Sequence, residues 1–271
     1  MDELLNQVKN KISELSGDII YIHSDVTRGF KILSRDRFQL LEQHYNAIES
    51  VCNGLDIWMP AFNYDYCDTG NFNVDEDRSQ VGVLSEFFRK NKAEWRYPMP
   101  VFSFSGIGKY PVLVKEKVMD PFGTNSLFAY LYNHNALVMF YGTSIASNTI
   151  IHYAEKVSNS LIYRYQKQFP GKISQQNNNM QFTLNFHVRP MGASFEYDYN
   201  KTQNDLISRG ILHSVNDNHT QIHIARVDKM VNYYLEMLSK DPFYLLTEET
   251  KLHLSKIYNN LKRPFVISDF E

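Results

Sequence analysis

The stretch A-L-V-M-F-Y-G-T-S-I-A-S-N-T-I-I-H-Y-A-E, residues 136–155, decides the fold. Six apolar residues in a row, 136–141, suit a strand buried on both faces. Gly142 turns the chain, and Thr143, Ser144, Ser147 and Asn148 fill a polar loop. Ser147 or Asn148 stands where a helix cap is needed, just before the periodic run 149–156. Strand, loop and helix in that order make one unit of an α/β sheet. Ligands of such sheets gather beyond the carboxyl ends of the strands, where loops enter helix N-termini. Thr149, His152 and Glu155 follow at steps of three in that position, and His152 and Glu155 share one helix face, Cβ atoms roughly 5–6 Å apart.

Working outward, residues 3–15 carry Leu4, Leu5, Val8, Ile12 and Leu15 at helical spacing, and Gly17-Asp18 ends that helix. D-I-I-Y-I-H-S-D (18–25) and L-D-I-W-M-P-A-F (55–62) are short apolar runs that predict buried strands around a helix over 36–52. Residues 63–79, N-Y-D-Y-C-D-T-G-N-F-N-V-D-E-D-R-S, predict a long acidic loop, which in a compact domain is functional or disordered. A helix is expected at 81–90, a strand at 101–108 and a helix at 126–131, where Ser126 suits a cap. Past 160 the pattern changes: 182–189 and 220–225 alternate as half-buried strands, with helices near 202–209 and 227–238 and a polar turn at 175–180. The expectation is an α/β fold of three layers, a mixed sheet flanked by helices with an antiparallel C-terminal extension. Residues 1–271 are read as one domain.

The charge balance is 28 basic against 30 acidic residues, with no Lys/Arg block, so a nucleic-acid partner is not expected. Cys52 and Cys67 are too few for a disulfide framework, and no apolar run reaches the ~20 residues that span a bilayer. A soluble cytoplasmic protein with no membrane partner follows as the expectation. In Y-D-Y-C-D two aspartates disfavour a Cys67 thiolate. H-T-Q-I-H (219–223) has the spacing of two zinc ligands on a helix, but Thr220, Ile222 and Ile224 alternate as in a strand, so no metal is expected.

A carboxylate beside an imidazole fixes its tautomer and makes the ring a stronger base, while a helix N-terminus favours the neutral ring. The two together predict a His152 that titrates near neutrality, where a general base is most useful. The same spacing also describes an ordinary surface pair worth a few tenths of a kcal/mol. Spacing alone leaves both open.

The wider pattern adds a resemblance. I-Y-I-H-S-D-V (20–26), D-I-W-M-P-A-F (56–62), D-R-S-Q-V-G-V-L-S-E (77–86) and R-Y-P-M-P-V-F-S-F-S-G-I-G (96–108) occur in order, followed by P-F-G-T-N-S-L-F-A-Y-L (121–131) and G-T-S-I-A-S-N-T-I-I-H-Y-A-E (142–155). With V-D-K-M-V-N-Y-Y-L-E-M-L-S-K-D-P (227–242), this set resembles the aminoglycoside 3-N-acetyltransferase family over most of the chain. The resemblance implies acetyl or related acyl transfer from acetyl-coenzyme A, or another acyl-coenzyme A, to an amine on an aminoglycoside or amino sugar. It implies His152 as general base, Glu155 as its partner and Thr149 as a positioning residue. It places His23, Ser24, Asp25 and Val26 near the coenzyme, with Ser103, Phe104, Ser105 and Gly106 along its pantetheine arm; the reaction also needs an oxyanion donor, for which a backbone N–H of 103–106 is the candidate.

The chain departs from the family at Asp77-Arg78-Ser79, where T-P-S is usual, and at Met99-Pro100 and Phe102-Ser103, where His-Pro and His-Ser are usual. These departures bear on the acceptor and are expected to lie away from the His–Glu pair. The acidic loop, with Asp65, Asp77 and Ser79 as candidate acceptor contacts, would steer a polycationic aminoglycoside. Arg78, Lys90 and Arg96 nearby would instead favour an anionic acceptor such as a nucleotide-linked amino sugar of surface-polysaccharide assembly. A coenzyme-binding protein that has lost turnover is the third reading.

Overall fold

A computed structural model of the chain describes all residues except 1, 53, 115, 159–160, 177 and 191–193. In chain order the strands are β1 (Ile19–Ser24), β2 (Asp56–Pro60), β3 (Asn71–Asn73), β4 (Trp95–Arg96), β5 (Phe104–Ile107), β6 (Val118–Met119), β7 (Ala136–Tyr141), β8 (Tyr165–Gln175), β9 (Asn178–Val188), β10 (Leu212–Asn216) and β11 (Gln221–Arg226). The helices are α1 (Asp2–Leu15), α2 (Arg37–Cys52), α3 (Tyr66–Thr69), α4 (Val83–Asn91), α5 (Leu127–Asn133), α6 (Ile150–Val157), α7 (Tyr199–Ser208), α8 (Val227–Lys240) and α9 (Glu248–Leu261).

The main sheet has the order β10-β11-β7-β1-β2-β5-β4. Strands β7, β1 and β2 run parallel at its centre, while β11, β10, β5 and β4 join antiparallel at the sides. The central strands are buried on both faces because alternate residues feed two cores. Ile20, Ile22, Leu137 and Met139 pack under α1, α2 and α4, whereas Tyr21, Val138 and Phe140 pack under α5, α6 and α8. Each such side chain taken from water is worth roughly 1.5–3 kcal/mol, which explains why apolar runs rather than alternating ones mark these strands. The three-layer mixed sheet expected from sequence is the observed architecture.

A second sheet, β3-β8-β9-β6, is built on the long β8–β9 hairpin. Its Phe72, Ile173, Phe182 and Leu184 join the same core as Phe104 and Phe128, so the two sheets share one apolar interior. The acidic stretch 63–79 is not a bare loop: α3 and β3 lie within it, and β3 pairs in parallel with β8. Strand β8 escapes a sequence reading because Pro170 and Gly171, which weaken strands, sit at its middle. Most of the expected turn at 175–180 is strand: Gln175 ends β8 and pairs with Asn178, which begins β9, and Asn177 lies outside the described residues. No helix among the described residues is long and apolar enough to cross a membrane.

Candidate active site

The loop after β7 is fastened to the loop after β1. Gly142 adopts φ +69°, and a Cβ there would lie 1.8 Å from the carbonyl oxygen of Asp25, so only glycine allows this approach. Asp25 N–H donates to the Tyr141 carbonyl at 2.7 Å. Thr149 occupies the N-cap position of α6 without a side-chain cap; Asn148 Oδ1 accepts from the Ile150 N–H at 3.1 Å instead. One turn on, His152 lies at the edge of the buried face, its side chain 22% exposed, and Glu155 points fully inward.

Glu155 is the centre of the site. Its Oε2 is 2.9 Å from His152 Nδ1 and forms an ion pair with Arg164 Nε at 2.8 Å. Tyr163 and Tyr197 hydroxyls each donate to Oε1 at 2.7 Å. Arg164 also donates to the His187 carbonyl at 2.8 Å and to the Tyr197 hydroxyl. Burial pushes the Glu155 carboxyl up, but Arg164, followed by His152 and Tyr163, outweighs it and holds the group at about 2. An ionised carboxylate only accepts, so His152 Nδ1 carries the proton and Nε2 is left with the lone pair.

The expected near-neutral titration of His152 is corrected by these surroundings. Burial and then the Arg164 cation hold the ring below its ordinary 6.5, against the upward pull of Glu155. Arg164 Nη2 lies 3.2 Å from Nδ1 and works against what the carboxylate would do for basicity. Arg164, Tyr163 and Tyr197 were not legible as site residues. The Tyr163-Arg164 dipeptide follows the helix closely, yet nothing in it marks the side chains as turning inward.

A cavity of about 760 Å³ opens at this point, lined by His152, Thr149 and His23 together with Phe102, Tyr197 and other rings. His23 is buried, stacks on Phe140 at 5.5 Å, and its Nε2 has no hydrogen-bond partner among the described residues. Burial alone keeps it neutral, its ring lowered to about 3. Ser24 Oγ and Ser105 Oγ are likewise buried without partners. Asp25 caps a short 3-10 turn, Val26–Arg28, through Thr27 N–H at 2.9 Å.

The stretch 103–106 lies behind the cavity wall. Ser103 Oγ accepts from Arg96 Nε at 2.8 Å and donates to the Ala61 carbonyl at 2.9 Å. Phe104 stacks on Tyr21 at 4.6 Å, and Gly106 makes room for Trp95, whose ring would meet a Cβ at 2.1 Å. Arg96 is committed to the carbonyls of Val74 and Ala61 at 3.0 and 2.8 Å and to that of Asp77, so it pins the acidic stretch rather than facing solvent. The departure at Phe102 is not remote from the His–Glu pair: Phe122 contacts the Phe102 ring at 4.7 Å and His152 at 5.4 Å.

Asp65, Asp77 and Ser79 line a different cavity, about 700 Å³, with Arg37, Arg78 and Glu86. Asp65 Oδ1 accepts from Gln80 Nε2 at 2.8 Å, and Asp77 Oδ2 from the Asn73 N–H at 2.8 Å. Cys67 is pushed up to about 11 by burial and then by Asp68. His223 lies in β11 with its ring nitrogens 2.7 Å from Ser214 Oγ and 2.9 Å from Gln221 Nε2.

Comparison with known proteins identifies the family. The family model described as aminoglycoside 3-N-acetyltransferase matches residues 46–239. Similar solved structures include AAC-IIIb in a binary complex with CoASH, 16% identical, covering 87% of this chain and 96% of that one at a TM-score of 0.68. Sisomicin-bound AAC-VIa is 16% identical over 87% and 97% of the two chains, with a TM-score of 0.64. The YokD protein from Bacillus subtilis is 14% identical over 88% and 94%, with a TM-score of 0.65. No curated protein matches the chain. The family model covers more than half of the sequence, and so the chain belongs to the aminoglycoside 3-N-acetyltransferase family and is an N-acetyltransferase.

Proposed function

We propose that the chain acts as one catalytic unit in the cytoplasm. It transfers an acetyl or related acyl group from coenzyme A to an amine on an aminoglycoside or amino sugar, with His152 as general base. The observation that carries this reading is the oriented imidazole: Glu155 holds Nδ1 at 2.9 Å, on the border of a cavity large enough for a thioester arm and an acceptor. His23, whose Nε2 has no hydrogen-bond partner among the described residues, lies on the wall of this cavity and supplies a polar group for the arm. The CoASH and sisomicin seen with AAC-IIIb and AAC-VIa support the same pair of substrates.

Acyl-coenzyme A supplies an activated thioester. The chain's own residues do the rest. An ammonium cannot attack until it loses a proton, and His152 Nε2 is the atom left free to take it. As the ring becomes cationic, Glu155 stabilises it through Nδ1–H, while Tyr163 and Tyr197 keep the carboxylate from turning. Thr149, one turn before His152 on the same cavity wall, positions the acceptor. General-base help of this kind is worth roughly 10²–10⁴ in rate.

The test is thiol release from acetyl-coenzyme A with aminoglycosides and nucleotide-linked amino sugars as acceptors. His152→Ala is expected to lower turnover about 10²- to 10⁴-fold while coenzyme binding persists. Undiminished turnover in that variant removes the general-base assignment. Binding of coenzyme without turnover on any amine would mean a coenzyme-binding homologue. Turnover on nucleotide-linked amino sugars alone would move the role from antibiotic modification to polysaccharide assembly.

A further inference from the structure

The wall around His152 is aromatic and nearly uncharged. Phe62, Tyr64, Phe102, Phe186, Phe195 and Tyr199 contribute rings, and the charged lining residues are Arg164, Arg189 and Glu196. Arg164 is already matched by Glu155. Glu196 is therefore the one carboxylate that lines this cavity among the described residues, and none of the residues outside that set is acidic in the sequence.

The acidic stretch does not make up the difference. Residues 60–65 and 79–83 contribute to both cavities: Pro60, Phe62, Tyr64 and Val81 line the first, whereas Asn63, Asp65, Ser79, Gln80, Gly82 and Val83 line the second. Asp65, Glu76, Asp77 and Glu86 all belong to that second cavity. A polycation drawn into the His152 cavity would lose water around several ammonium groups and find one carboxylate in return, which is unfavourable.

Arg189, by contrast, is exposed at the rim and makes no ion pair among the described residues. A guanidinium so placed is a fork for a phosphate or carboxylate. Aromatic faces beside it suit a sugar ring or a single ammonium. We infer that the acceptor is an amine with one positive charge and an anionic group, phosphate or carboxylate, that docks on Arg189. This rests on the acyltransferase reading above and narrows its acceptor.

The experiment uses the full chain with saturating acetyl-coenzyme A and thiol release as the signal. Four acceptors are compared: sisomicin, glucosamine, glucosamine 6-phosphate and 2-amino-2-deoxyglucuronate. At least one anionic amine is expected to exceed glucosamine about tenfold in kcat/KM, and sisomicin to be the poorest. The better anionic amine shows whether phosphate or carboxylate is read. R189Q is expected to raise the KM of that amine about tenfold, bringing it level with glucosamine, and R189K to restore part of the difference.

Sisomicin as the best acceptor overturns the inference while leaving acyl transfer intact. A rise in the KM of acetyl-coenzyme A with the acceptor's KM unmoved in R189Q also overturns it, since Arg189 then serves the coenzyme. If no amine releases thiol, the acyltransferase reading fails. Ligand-induced shifts in Tm with the same four amines then decide the charge question, and a larger shift with sisomicin than with either anionic amine refutes it.

Discussion

Arg164 and His152 meet across a single carboxylate oxygen. Glu155 Oε2 lies 2.9 Å from His152 Nδ1 and 2.8 Å from Arg164 Nε, and Arg164 Nη2 comes within 3.2 Å of the same ring nitrogen. The imidazole therefore sits beside a cation as well as an anion. Its orientation comes from Glu155, but its basicity is reduced by burial and then by Arg164.

The first consequence is a pH profile. On the general-base proposal neutral His152 is the active form, so kcat/KM should fall as pH drops through its folded pKa, which lies below 6.5. Activity should persist into mildly acidic buffer. In Arg164→Gln, Glu155 acts on the ring alone and the acid limb should move up. An acid limb at or above 6.5 in the unmodified enzyme, or one that stays put in the variant, contradicts this account.

Glu155→Gln is expected to cost more than its lost hydrogen bond. It leaves the Arg164 guanidinium, 7% exposed, without its counter-charge. Breaking a buried pair in this way costs about 3–5 kcal/mol. Urea unfolding at pH 7 measures it, and Glu155→Gln combined with Arg164→Met should recover a large part of the loss. A single variant within about 1 kcal/mol of the parent would show that the pair is solvated.

Stability should also decline in acid through His23. Its folded pKa is lowered to about 3 from 6.5, so the unfolded chain binds the proton first. The stability held by the neutral buried ring is complete above pH 6.5 and is lost as pH falls from there toward 3, by roughly 1.4 kcal/mol per unit. His23→Leu should flatten the fall in urea midpoint between pH 6.5 and 4.5. An unchanged slope would place the proton elsewhere.

Gly142→Ala tests the junction of the two loops. Its Cβ would collide with the Asp25 carbonyl, and φ +69° is strained for alanine. A cost of about 1–3 kcal/mol is expected from the backbone conformation, with the collision adding to it. Because the same loop delivers α6, kcat should fall along with Tm. A variant as stable and as active as the parent would separate the junction from the site.

Much of the architecture could be read from residue order. The apolar runs of β1, β2 and β7 are local signals, as are the helical periods of α1, α2 and α8, because a strand buried on both faces must be apolar throughout. The spacing of His152 and Glu155 on α6 is equally local. Strand β8 was hidden because Pro170-Gly171 weakens a strand when considered alone, and eleven paired residues on β9 outweigh that weakness. Arg96 read as a surface cation near the acidic stretch, yet it is half-buried against carbonyls contributed from as far as 35 residues away.

By itself the sequence determined that a doubly covered α/β sheet would form and that a histidine and a glutamate would share one turn at a strand's carboxyl end. Hydrophobic pattern and helical pitch act over a few residues, so both are written locally. Only the tertiary structure decided what that pair became. Burial removed water from Glu155, Arg164 and Tyr197 closed on it from 9 and 42 residues further along the chain, and the acidic stretch turned its carboxylates away from the cavity. Charge acts through space, and no spacing along the chain records which distant groups will be brought within 3 Å.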